Sequence, residues 1–209
     1  MKKQFWYFIF LLFYIGTLPV QGKITLPAIL SDNMVLQQKA QVRFWGKARP
    51  GEKVTVSTSW DKNIYTVQTP TDGHWEVKIK TPGVMDNQTL TVKGENTITI
   101  HNILIGEVWL CTGQSNMEFP VARDPNVKWK TGILNETEEM KDADYPSIRL
   151  FHVEHQLAPE GEKEDCIGRW LVCTPENVKE FSSVGFIFGR KLYKELQMQV
   201  ELIQTTSRG

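Results

Sequence analysis

The sequence predicts two regions of different architecture: a β-sandwich over residues 23–105, then the opening part of a doubly wound, parallel-sheet α/β domain over 106–209. Three observations predict it. Short runs alternating apolar and polar residues recur through the first region, separated by turn residues, with no helical period between them. After residue 105 a nearly continuous apolar stretch, Ile103-Leu104-Ile105 then Val108-Trp109-Leu110-Cys111, suits a strand buried on both faces. A strand, a helix and a strand then follow at 148–153, 182–196 and 200–203, the spacing of a parallel-sheet unit.

The chain opens on Lys2 and Lys3, an apolar run from Phe5 to Ile15, and Val20-Gln21-Gly22, with small side chains at the first and last positions of that triplet. This is the pattern of a secretory signal peptide over residues 1–22, and it predicts a secreted or periplasmic protein. The run is short for a bilayer-spanning helix, and nothing later in the chain resembles a span. Removing two lysines from a balance of 24 Lys and Arg against 24 Asp and Glu leaves a net charge of −2. That balance gives no electrostatic reason to bind nucleic acid or an anionic membrane. The three cysteines, Cys111, Cys166 and Cys173, are no disulfide framework. Cys166 and Cys173 are a possible pair, and Cys111 reads as a small core residue. No His/Cys cluster has zinc-site spacing, so neither metal nor cofactor is expected.

In the first region the predicted strands are Val42–Trp45, Lys53–Ser57, Ile64–Val67, Trp75–Ile79, Leu90–Val92 and Ile98–Ile100. Arg49-Pro50-Gly51-Glu52, Thr71-Asp72-Gly73, Thr81-Pro82-Gly83 and Gly94-Glu95-Asn96 supply the turns. In the second region the helix is the clearest element. Ser182 or Ser183 can cap it. Val184, Ile187, Phe188, Leu192, Tyr193 and Leu196 recur on one face. Three strands with open edges make a poor independent core, so the sequence reads as a fragment of a longer α/β domain.

The segment with chemical content is Thr112-Gly113-Gln114-Ser115-Asn116-Met117-Glu118, where a buried strand gives way to a helix start. A serine there sits at the carboxyl end of a parallel strand, where ligands bind in open α/β sheets. The free N–H groups and positive dipole end of a following helix suit an oxyanion. For a lone Gly-x-Ser tripeptide, an N-cap serine is the simpler reading.

Gly113-Gln114-Ser115-Asn116-Met117 resembles the nucleophile block of the SGNH hydrolase superfamily and, within it, the sialate O-acetylesterase family. The likeness runs along the mature chain in order. It takes in Leu26-Pro27-Ala28-Ile29-Leu30-Ser31-Asp32-Asn33-Met34-Val35-Leu36-Gln37, then Val42–Gly46 with Pro50-Gly51-Glu52, then Gly73-His74-Trp75. It continues through Gly106-Glu107-Val108-Trp109, Ile148–Phe151, Trp170 with Pro175, and Phe181–Arg190. The resemblance implies a flavodoxin-like SGNH sheet behind the sandwich, and removal of O-acetyl groups from sialic acid. Ser115 would be the nucleophile and its own N–H an oxyanion donor. Gly185 would be a second donor, and Gln114 and Asn116 would position the loop. O-acetylated sialic acid or a related acetylated sugar would be the substrate, with no cofactor. The family's later asparagine and its Asp-x-x-His block, source of the base, have no counterpart in these residues, and Arg208 stands where the family carries Trp. The 209-residue chain is therefore expected to be an inactive portion.

Of the four histidines, His152 and His155 follow a strand whose carboxyl end faces the same way as Ser115; His74 and His101 belong to the first region. A base must reach hydrogen-bond distance of the serine, and each histidine is more simply a surface or strand-end residue. Glu136, Glu138, Glu139, Asp142 and Asp144 read as a solvated acidic face. Trp45, Trp60, Trp75, Trp129 and Trp170 are candidates for sugar stacking or for core. Asn87-Gln88-Thr89 and Asn135-Glu136-Thr137 are glycosylation sequons. Two alternatives stand beside the leading reading: a non-catalytic carbohydrate-binding fragment, which an exposed aromatic row on one sandwich face would favour, and another SGNH esterase such as a xylan or pectin acetylesterase.

Overall fold

A computed structural model describes residues 22–128, 130–159 and 161–206. The expected signal peptide lies outside the described residues apart from Gly22, and so does Trp129. No described helix is long and apolar enough to cross a membrane.

The elements in order are β1 (Val35–Gln37), β2 (Gln41–Lys47), β3 (Lys53–Thr58), β4 (Ile64–Gln68), β5 (His74–Lys80), β6 (Met85–Lys93), β7 (Thr97–Gly113), α1 (Ser115–Glu118), α2 (Glu136–Lys141), β8 (Tyr145–His152), β9 (Trp170–Cys173), α3 (Ser183–Leu196) and β10 (Val200–Thr206). Alternation drives the early strands. In β5, Trp75, Val77 and Ile79 point inward while His74, Glu76, Lys78 and Lys80 face outward. β2 and β5 form an antiparallel ribbon with Phe44 opposite Val77 and Trp45 opposite Glu76. The ribbon's inner face and the inner face of β3, β6 and β7 share one core of Phe44, Trp75, Val54, Val56, Ile79, Leu90, Val92 and Ile100. Fully burying each such side chain contributes roughly 1.5–3 kcal/mol.

The structure departs from two separate domains. One eight-stranded sheet runs β4-β3-β6-β7-β10-β8-β9, and β1 also pairs with β7. β7 is 17 residues long and crosses the expected boundary at 105. Its first part pairs antiparallel with β6 and parallel with β1, and its second part pairs parallel with β10. The changeover falls at Gly106, where a Cβ would stand 2.3 Å from the carbonyl oxygen of Gln199. Only a glycine lets β7 exchange partners so close to the entry of β10. The first region holds the antiparallel half of this mixed sheet, with the β2–β5 ribbon packed over it through a shared core.

In the parallel half, β10 lies between β7 and β8, and β9 closes the far edge antiparallel. A second core, with Ile148, Leu150, Phe186, Val200 and Leu202 at its centre, packs this sheet against α3. Helix α3 begins as its sequence directs: the Gly185 N–H donates to Ser182 Oγ at 3.1 Å, capping the first turn. Its apolar face is only partly covered. Val184, Ile187 and Phe188 stay exposed, as do Trp109 and Leu110 of β7, and Trp109 meets the Phe188 ring edge-on at 5.0 Å. The expectation that 108–111 is buried on both faces therefore fails at Trp109 and Leu110, because β7 has no partner strand on that side among the described residues. All three cysteines are free, so the pairing of Cys166 with Cys173 is not made. Cys111 and Cys173 are buried, and burial pushes their thiols up to about 11 and about 12.

Candidate active site

The carboxyl ends of β7, β10 and β8 come together on one side of the sheet. Thr206 registers opposite Gly113, and Gln204 opposite both Cys111 and His152. Beyond β7 the chain turns sharply. Gly113 has φ +152°, a backbone that L side chains rarely adopt, and a Cβ on it would stand 3.2 Å from that of Met117. Ser115 then opens α1, a single turn of four residues.

This geometry revises the local expectation. The N-cap position belongs to Gln114, whose carbonyl accepts from the Met117 and Glu118 N–H groups at 2.8 and 3.2 Å. Ser115 is the first helical residue, it is exposed, and its hydroxyl makes no hydrogen bond among the described residues. It is not a capping serine. Its own N–H lies in the first turn, where backbone donors have no partner within the helix. A one-turn helix supplies little macrodipole, so charge stabilisation here falls to individual N–H groups. Asn116 is exposed beside it.

Gly185 lies in the first turn of α3. Its N–H is committed to Ser182 Oγ, and the residue is buried, with space for a Cβ limited by Cys111 Sγ at 3.1 Å. That bond caps the helix. Gly185 also lets α3 approach β7 closely. The start of α3 is tied to the nucleophile turn by several bonds. The Ser183 N–H donates to the Phe119 carbonyl at 2.8 Å, the Ser182 N–H donates to Gln204 Oε1 at 2.7 Å, and Ser182 Oγ donates to Met117 Sδ at 3.8 Å.

Three of the four histidines face carboxylates. His155 Nε2 stands 3.1 Å from the carboxylate of Glu118, a residue only 7% exposed. That bond draws the loop after β8 across to the nucleophile turn. His152 ends β8; burial first, then the neighbouring His155 and Lys130, hold its pKa below the ordinary imidazole value, against the pull of Glu180 and Glu118. His74 lies 3.9 Å from Asp72 and 3.6 Å from Glu164, and His101 lies 3.6 Å from Asp32. No imidazole hydrogen-bonds Ser115 among the described residues. The Glu118–His155 contact escaped the sequence because the two residues sit 37 apart on different elements. The one signal was that Glu118 closes the serine motif.

Of the tryptophans, Trp75 and Trp170 are buried, Trp60 donates its indole N–H to the Lys80 carbonyl, and Trp45 is 37% exposed. No exposed aromatic row lines a face of the ribbon or of the sheet among the described residues.

The chain matches no family model. Over 201 residues it is 35% identical to the sialate O-acetylesterase of Pongo abelii and 34% identical to that of Homo sapiens. Each match covers 86% of this chain. The chain is a relative of the sialate O-acetylesterases. It spans about a third of the length of these curated sialate O-acetylesterases, 36% in both cases. Its fold is also that of a carbohydrate acetylesterase from Xanthomonas citri, with a TM-score of 0.78 and 27% identity, covering 90% of this chain and 41% of that one.

Proposed function

We propose that the chain is the nucleophile-bearing part of a secreted or periplasmic carbohydrate O-acetylesterase, with O-acetylated sialic acid as its first candidate substrate. The observation that carries this reading is Ser115: an exposed, uncommitted hydroxyl at the head of a tight turn, on the carboxyl end of a parallel strand, in a relative of the sialate O-acetylesterases.

Ser115 Oγ would attack the acetyl carbonyl carbon. The Ser115 N–H would donate to the oxyanion of the tetrahedral intermediate. Collapse would release the sugar hydroxyl and leave an acetyl-Ser115 ester, which water would cleave to acetate, restoring the serine. Gln114 holds the turn through its carbonyl, and Asn116 flanks it. The serine proton needs a base, and no described imidazole hydrogen-bonds Ser115, so these residues alone should turn over esters slowly. Acetate release from O-acetylated sialic acid by the chain, beside Ser115→Ala and with and without added imidazole as an external base, tests the reading. A xylan-type acetylesterase would show the same serine dependence with acetylated xylan preferred. A non-catalytic sugar-binding fragment would show no serine dependence, and the burial of Trp75 and Trp170 weighs against it.

A further inference from the structure

The outer face of the β2–β5 ribbon is polar or charged apart from one aromatic, Trp45, and the loop after β8 lies against it. Lys47 is ion-paired with Glu164 of that loop, and Asp165 accepts from the Ala28 N–H at 3.1 Å. Between ribbon and loop run two adjoining cavities, of about 390 and 520 Å³. They share Pro27, Trp45, Glu164 and Asp165. The second ends at Thr205 and Thr206, and Thr206 is the register partner of Gly113 in the nucleophile turn. The two cavities together line a groove from the Trp45 indole to the carboxyl end of β10, the strand that neighbours β7.

From this geometry we infer that the groove is a glycan-binding subsite, which takes neutral sugar units of an extended substrate while Ser115 addresses the acetylated one. This rests on the esterase reading above and adds the form of its substrate: an oligosaccharide and not a free monosaccharide. A partly exposed indole offers an apolar face for the C–H face of a sugar ring. The carboxylates and imidazole around it accept or donate to ring hydroxyls, and a concave wall with a few convergent polar groups is the ordinary form of a small-molecule site. Charge selects the neutral occupant. The cations beside Trp45 are already matched, Arg43 to Glu76 and Lys47 to Glu164. Lys163 bonds Gln156. Among the described lining residues, Lys47 and Lys163 are outnumbered by Glu154, Glu164 and Asp165, which disfavours a sugar carboxylate.

Calorimetric titration of the whole chain with xylohexaose, with lacto-N-tetraose and with N-acetylneuraminic acid tests this. At least one neutral oligosaccharide should bind at least tenfold more tightly than the acidic monosaccharide. Trp45→Ala should weaken that binding tenfold or more, and Trp45→Tyr should restore it to within a few-fold. Equal affinity in wild type and Trp45→Ala, or no binding of either neutral oligosaccharide by folded protein, would overturn it. The tyrosine variant also guards against an alanine variant that misfolds. Ser115-dependent acetate release is measured separately. Trp45-dependent binding without it would sink the esterase reading and leave the groove standing, and the converse would sink the groove alone.

Discussion

His155 Nε2 lies 3.1 Å from Glu118 Oε1, so the last residue of the nucleophile turn is held by a loop that belongs to another strand. The two partners are unequal: the Glu118 side chain is 7% exposed and that of His155 45%. Truncating the buried partner strands its surroundings, whereas truncating the exposed one forfeits a solvent-screened contact. Glu118→Ala should cost about 1.5–3 kcal/mol in urea unfolding, and His155→Ala no more than about 1 kcal/mol. Equal costs would show that the contact, and not burial of the carboxylate, carries the stability.

Gly106 marks the point where β7 leaves one set of partners for another. A Cβ there meets backbone, the Gln199 carbonyl oxygen at 2.3 Å, and backbone cannot swing aside as a side chain can. Gly106→Ala should therefore destabilise by about 1–3 kcal/mol, the usual range for overpacking. Thermal melting measures this, and an unchanged Tm would mean that the two halves of the sheet are not rigidly joined at this residue.

Glu201 on β10 is 2% exposed, and its Oε2 has no hydrogen-bond partner among the described residues. Burial raises its pKa well above the ordinary carboxylate value, against a backbone hydrogen bond from Val35. A folded-state pKa above the unfolded one means that the folded chain holds the extra proton. Stability is then fullest below the unfolded value of 4.5 and declines as pH rises toward the folded pKa. The unfolding free energy of the wild type should fall relative to that of Glu201→Gln by up to about 1.4 kcal/mol per pH unit above that value. Denaturant titrations at several pH values check this, and parallel curves would contradict it.

What the sequence disclosed depended on how local the cause is. The alternation of β2 and β5, the Ser182 cap and the apolar face of α3 are written within a few residues, and the structure has them. β1 and β9 are short and take their strand form from distant partners, β7 and β8, so no local pattern announced them. β7 is unbroken from Thr97 to Gly113, whereas Ile98–Ile100 and the apolar stretch from Ile103 read as separate strands, because the polar His101-Asn102 between them interrupts the pattern. At the site, Ser115 was legible from its motif. The Gly185 N–H donates to a hydroxyl three residues earlier, a bond the motif did not disclose. Glu118 and His155 meet only through the fold.

The central claim is that Ser115 attacks the ester. Acetate release from O-acetylated sialic acid should be slow for the wild-type chain alone and should rise on addition of imidazole, while Ser115→Ala stays at the buffer background in both conditions. Equal release by wild type and Ser115→Ala in every condition would contradict the claim.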